Sequence, residues 1–194
     1  MDQVHSVVVQ PSLDLVQDRR VQPSLDLVQG RRHLAARPAW LRFAAIAERF
    51  VIEHVFAAAR ERVFEAWVSP EVLRRWWGAG PDWTAPSVEI DLRPGGRYRL
   101  SMQDPSGTVR TVGGRYVEVD PPRRLVYTWA WEPPHGADGD DETLVTVDFH
   151  EPAAGETRVV LTHSGFADAV LRDDHREGWE LCIANLRSRV LDAG

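Results

Sequence analysis

The sequence predicts an α+β domain: a curved antiparallel sheet wrapped around a long C-terminal helix, with two short helices after the first strand. Three observations carry this prediction. Apolar residues alternate at period two around Phe50, as in a strand with one buried face. Six further alternating runs follow between Val88 and His163, separated only by turn residues. The chain then closes on a helical stripe, Trp179, Cys182, Ile183, Leu186 and Val190.

The elements follow in order. Phe50, Ile52, His54 and Phe56 alternate with Val51, Glu53 and Val55, which gives the first strand. Val63, Phe64, Trp67 and Val68 form an apolar helical stripe that ends at Ser69-Pro70. Ser69 then caps a second short helix, with Pro70 at its first position and Trp76-Trp77-Gly78 at its end. Val88, Ile90 and Leu92 begin the strand series. Pro94-Gly95-Gly96 and Asp104-Pro105-Ser106-Gly107 supply tight turns on either side of Tyr98, Leu100 and Met102. The next strand runs from Thr108 to Val119, with a bulge or bend expected at Gly113-Gly114. Pro121-Pro122 makes a corner, and Leu125, Tyr127, Trp129 and Trp131 share the following face. Val145, Val147 and Phe149 mark another strand, and Val159, Leu161 and His163 the last. The closing helix starts at Ala167 or Asp174 and runs to Leu191. One helix cannot fill a strongly curved sheet, so a cavity is expected near the short helices.

Residues 1–40 are a different kind of sequence. Residues 9–20 read VQPSLDLVQDRR and residues 21–32 read VQPSLDLVQGRR, a tandem repeat of period twelve. Two copies cannot bury a core. The segment is expected to be a disordered N-terminal extension, and residues 48–192 the domain.

Bulk properties exclude several functions. A net charge of −6 opposes broad nucleic-acid binding, which needs a basic surface. One cysteine, Cys182, permits no internal disulfide and no multi-cysteine zinc site. No apolar run is long enough to span a bilayer, so no membrane insertion is expected. The N-terminus has no basic patch leading into an apolar segment, and a cytoplasmic location is expected. The eight Trp, all from Trp40 onward, point to a bulky apolar lining with a few polar handles.

Four stretches carry a family likeness: VFEAWVSPEVLRRWWG (63–78), VEIDLRPGGRYRL (88–100), GGRYVEVDPPRRLVYTW (113–129) and the C-terminal LTHSGF…HREGWELCIANLRSRVL. Together they resemble the family named after the activator of heat-shock protein 90 ATPase, in its bacterial single-domain form. That family lies within the START-like, polyketide-cyclase-like superfamily. The resemblance covers roughly residues 48–192 and implies a helix-grip fold with a lipophilic cavity. It implies no particular reaction. The eukaryotic co-chaperone of that name carries a further domain, which the forty repetitive leading residues are too short to supply.

The expected cavity residues are Trp76, Trp77, Trp83, Tyr98, Tyr116, Tyr127, Trp129, Trp131, His163 and Trp179. Trp76 and Trp77 stand at the family's cavity mouth; adjacent helical residues point about 100° apart, so only one can line it. Tyr127, Trp129 and Trp131 share one face and either stack a flat ligand or pack as core. Arg97 and Arg99 flank a hairpin rather than a phosphate loop, because no helix follows the glycines. His163 is the best acid–base candidate, beside His54, His175 and Glu180, although core packing competes with catalysis for a strand histidine. No HxH, HxxxH or HExxH spacing occurs, and Asp138, Asp140, Asp141 and Glu142 lack a calcium-loop pattern, so no metal is expected. No cofactor is expected either. Cys182 reads as a small buried hydrophobe. Gly178, placed within a helix, reads as a position that permits close packing or leaves room for a ligand.

Three functions compete. The first is a binding module that encloses a small hydrophobic or aromatic molecule as carrier, sensor or sequestering agent. The second is an enzyme of cyclase, dehydratase or hydrolase type, with His163 as base and Tyr98, Tyr116 or Arg99 assisting. The third is a co-chaperone-like interaction module. A homodimer, through a sheet edge or exposed aromatics, is the assembly the sequence allows.

Overall fold

A computed structural model describes residues 48–134 and 142–192. The repeat-bearing extension and the acidic loop at Asp138, Asp140 and Asp141 lie outside the described residues. Seven strands form one antiparallel sheet: β1 (Glu48–Phe56), β2 (Val88–Ile90), β3 (Arg97–Gln103), β4 (Val109–Asp120), β5 (Arg124–Trp131), β6 (Thr143–Ala153) and β7 (Glu156–Phe166). Their spatial order is β1-β7-β6-β5-β4-β3-β2, so the first strand pairs with the last. Three helices pack on it: α1 (Arg60–Val68), α2 (Pro70–Trp76) and the long α3 (Ala169–Leu186). A π-helical turn, Arg187–Leu191, ends the described chain. This is the curved-sheet, long-helix architecture that the sequence predicts.

The core is one cluster between the sheet and the helices. Each strand contributes its alternate residues: Phe50 and Phe56 from β1, Tyr98 and Leu100 from β3, Val145, Val147 and Phe149 from β6, Val159 and Leu161 from β7. α3 answers with Trp179, Cys182, Ile183 and Leu186, all buried. α1 sets Phe64 and Trp67 edge-on to Phe149, at 5.3 and 5.4 Å between ring centroids. Such pairs favour edge-to-face geometry and add about 1 kcal/mol beyond area burial.

Capping fixes where the helices start. The Ser69 hydroxyl accepts from the Val72 N–H at 3.4 Å, with Pro70 opening α2. The Asp168 carboxylate accepts from the Leu171 N–H at 2.9 Å, which starts α3 at Ala169. At the other end, Arg62 and Arg75 donate to the carbonyls of Val190 and Arg189, at 2.9 and 2.7 Å. These cations satisfy acceptors that a helix C-terminus leaves unpaired.

Two local expectations are corrected. The β2 strand stops at Ile90 and leaves Leu92 exposed. The bulge of β4 is not at Gly113-Gly114; the β4–β5 register shifts between Tyr116 and Glu118. Gly114 meets another need. A Cβ there would lie 2.0 Å from the Thr128 carbonyl oxygen. The bare position lets the Tyr98 hydroxyl donate to that carbonyl at 2.7 Å, while the Thr128 hydroxyl accepts from the Arg115 N–H at 3.0 Å.

Candidate functional site: an indole-lined cleft beside a sealed aromatic interior

Two of the spaces among the described residues share a wall of indoles and differ greatly in size. The larger is a cleft of about 490 Å³ between α3, β5 and the segment that follows α2. The smaller, of about 20 Å³, lies inside the core. Trp77, Trp129 and Trp179 line both and form the partition between them. Their rings meet at 5.8 Å (Trp77–Trp129), 5.7 Å (Trp77–Trp179) and 5.2 Å (Trp129–Trp179).

This geometry divides the ten expected cavity residues. Trp77, Trp83, Trp129, Trp131 and Trp179 line the cleft. Trp76, Tyr98, Tyr116 and Tyr127 line the small interior space instead of the cleft, and that space is too small for more than about one water. The reason is hydrogen bonding as much as packing. The Trp76 N–H donates to the Ala66 carbonyl at 2.8 Å, and the Tyr98 hydroxyl is held by Thr128. Tyr98, Tyr116 and Tyr127 approach each other within 5.3–5.9 Å. Burial pushes all three phenols up from their ordinary value, so they stay protonated.

His163 lines neither space. It is fully buried, and its ring is hydrogen-bonded at both nitrogens. The Trp179 N–H can only donate, so Nδ1 accepts it at 3.2 Å. The ring proton is therefore on Nε2 and goes to the Thr143 hydroxyl at 2.7 Å. That hydroxyl in turn donates to the Trp129 carbonyl at 3.1 Å. Burial, then the neighbouring His175, holds the His163 pKa well below the usual range. A neutral imidazole with both nitrogens occupied cannot take a proton from a cleft it does not touch. The chain instead fixes two partition indoles, Trp129 through its backbone and Trp179 through its side chain.

His175 does line the cleft. The Trp131 N–H donates to its Nε2 at 3.0 Å, and its Nδ1 bonds the Leu171 carbonyl at 2.8 Å. Sheet and helix are thus tied across one end of the cleft. His54 lies on β1 against Phe56 and outside the lining, and Glu180 is paired with Arg176 on the outer face of α3. The Cys182 thiol is pushed up to about 12 by burial and donates to the Gly78 carbonyl at 3.3 Å, which leaves it unreactive. Among the described residues no three His, Cys, Asp or Glu side chains converge as for a metal ion.

Several site residues were not singled out in the sequence. Asn185 donates to the Gly78 and Gly80 carbonyls at 2.8 and 2.9 Å, pinning the segment that carries Trp77 and Trp83 to α3. Its signal is a polar residue inside the apolar stripe of the last helix. Met102, Arg110, Asp174 and Glu177 also line the cleft. Gly178 has the second of its two expected roles: a methyl group there would meet no atom within 4 Å, so it leaves room in the cleft.

Comparison with known proteins places this architecture. The family model described as "Activator of Hsp90 ATPase homolog 1-like protein" matches residues 57–190. The chain belongs to that family. Among solved structures, an AHSA1 protein from Silicibacter pomeroyi is 30% identical, with a TM-score of 0.62, covering 73% of this chain and 96% of its own. A protein of Chromobacterium violaceum is 26% identical at a TM-score of 0.63, with the same coverage of 73% and 96%. An Hsp90 activator from Plasmodium falciparum, 23% identical at a TM-score of 0.55, covers 71% of this chain and 92% of its own, and shares the fold. No curated protein matches the sequence. Among the described residues no helix is long and apolar enough to cross a membrane.

Proposed function

We propose that this family member is a cytoplasmic binding protein that holds a small hydrophobic or aromatic molecule in the indole-lined cleft, as carrier, sensor or sequestering agent. The observation that carries the proposal is the five tryptophans around about 490 Å³ of open space, a volume that suits a small ligand. A flat bicyclic molecule burying about 300 Å² there gains about 7 kcal/mol from apolar burial. Several kcal/mol of lost freedom offset this, and each stacked ring returns about 1 kcal/mol. The balance corresponds to micromolar or weaker dissociation constants.

Of the groups weighed for the enzyme reading, His163, the tyrosines and Cys182 are not activated. His163 is locked neutral, the three phenols are protonated and Cys182 is buried as a thiol. The co-chaperone reading draws on the family's description and on fold likeness to the Plasmodium protein.

Tryptophan fluorescence of the full chain, titrated with flat aromatics, fatty acids and sterols, tests the proposal. A saturable change with a micromolar constant for one class is expected, with flat aromatics first. No response from any class would overturn it.

A further inference from the structure

The charges along α3 are not distributed evenly around the helix. On its outer side, Asp173 and Glu180 are each held by an arginine of the same helix, Arg172 at 2.9 Å and Arg176 at 3.0 Å. The carboxylates of Asp174 and Glu177 are three residues apart, share a face and line the cleft. Neither forms an ion pair among the described residues, while arginines on the same helix pair with Asp173 and Glu180. They stand beside Gly178, where the helix opens space instead of filling it.

The opposite wall shows what the indoles accept. The Arg110 guanidinium lies over the Trp83 ring at 5.9 Å from its centroid, so one indole of this cleft already holds a cation on its face. The His175 ring is engaged at both nitrogens, by the Trp131 N–H and the Leu171 carbonyl. Among the described residues, the one lining arginine is stacked on Trp83, and the two lining carboxylates form no ion pair.

We infer that the ligand of this cleft is an organic cation with a flat apolar body, an arylalkyl-ammonium in chemical class. Its ring lies against Trp129 and Trp179, and its charged head meets Asp174 and Glu177. Indole faces attract cations through the ring quadrupole, and the two carboxylates add Coulomb attraction at the rim. The inference rests on the proposed ligand-binding role of the cleft and specifies its chemistry. A neutral aromatic would use only the indoles, and an aromatic acid would face both carboxylates unfavourably.

Calorimetric titration of the full chain with three probes on one ring decides it: 2-naphthylmethylammonium, 2-naphthylmethanol and 2-naphthoate. At low ionic strength the ammonium is expected to bind about fivefold to tenfold more tightly than the alcohol, from two exposed charge pairs and one cation–ring contact. The naphthoate is expected to bind most weakly. Raising salt to about 0.5 M narrows the gap, because rim charges are screened. The double variant Asp174→Asn, Glu177→Gln, at two exposed positions, removes the salt-sensitive part of the ammonium's advantage and leaves only the cation–ring part. Equal affinity for ammonium and alcohol overturns the cation inference and leaves the binding proposal standing. Preference for the naphthoate overturns it in favour of an Arg110-read anion. Binding of none of the three overturns the inference, and the binding proposal then rests on the titration with fatty acids and sterols.

Discussion

The cleft and the sealed interior are made of the same residue types on the same face of one sheet, yet they differ about 25-fold in free volume, about 490 against 20 Å³. The interior is closed by polar handles that find backbone acceptors: Trp76 on Ala66 and Tyr98 on Thr128. On the cleft side, α3 carries a glycine at position 178, where a Cβ would meet no atom within 4 Å. Between them, Trp77, Trp129 and Trp179 belong to both regions, and the His163–Thr143 hydrogen-bond chain sets two of the three. An aromatic residue's part in this molecule is decided by what its polar atom meets and by what faces it, not by its being aromatic.

The sharpest break of this comparison is truncation on either side of the partition. Trp76→Ala empties a site that is 1% exposed and is expected to cost about 3–5 kcal/mol of stability in urea unfolding. Trp83→Ala, at a half-buried cleft position, is expected to cost about 1 kcal/mol or less and to weaken ligand binding instead. Equal losses of stability would erase the distinction between sealed and open regions.

Acidification probes the chain behind the partition. The folded-state pKa of His163 is depressed by burial, so the folded protein resists binding a proton that the unfolded chain accepts. Its stabilising contribution is complete above the unfolded value of about 6.5 and is lost as pH falls below it, with a slope of up to about 1.4 kcal/mol per pH unit. His54, depressed chiefly by burial and then by Arg187, acts in the same direction. Urea unfolding between about pH 7.5 and 5 should show the decline, and His163→Gln should flatten it. An unchanged slope in that variant would assign the effect to other groups.

The smallest expected change sharpens the role of the open position. Gly178→Ala is expected to raise stability by about 0.5–1 kcal/mol, since it removes a helical glycine and meets no neighbour. Gly178→Leu in the same helix should lower ligand affinity at least tenfold without loss of the melting temperature. A destabilised Gly178→Ala would mean that the glycine serves packing after all.

The elements were legible because local rules write them. Period-two alternation places β1 and the strands from β3 to β7, Ser69-Pro70 separates α1 from α2, and the stripe from Trp179 to Val190 identifies the buried side of α3. The same rules did not place the bulge of β4, which lies between Tyr116 and Glu118, or show the close approach between strands that requires Gly114. They also could not rank the aromatics. Alternation shows that Tyr127 and Trp129 share a face, but only the distance to α2 and α3 leaves one in the interior and the other in the partition.

By itself, the sequence determined the α+β class, the element order, the family and the richness in indoles that makes a ligand site plausible to test. Tertiary structure alone decided the rest. It paired β1 with β7, contacts more than a hundred residues apart that no local pattern encodes. It set Thr143, His163 and Trp179 in one hydrogen-bond chain and turned Asp174 and Glu177 toward the cleft, away from the arginines of their own helix. The physical reason is that periodicity reports which side of an element is buried, whereas a cavity and its charge depend on which side chains from distant elements meet there and which do not.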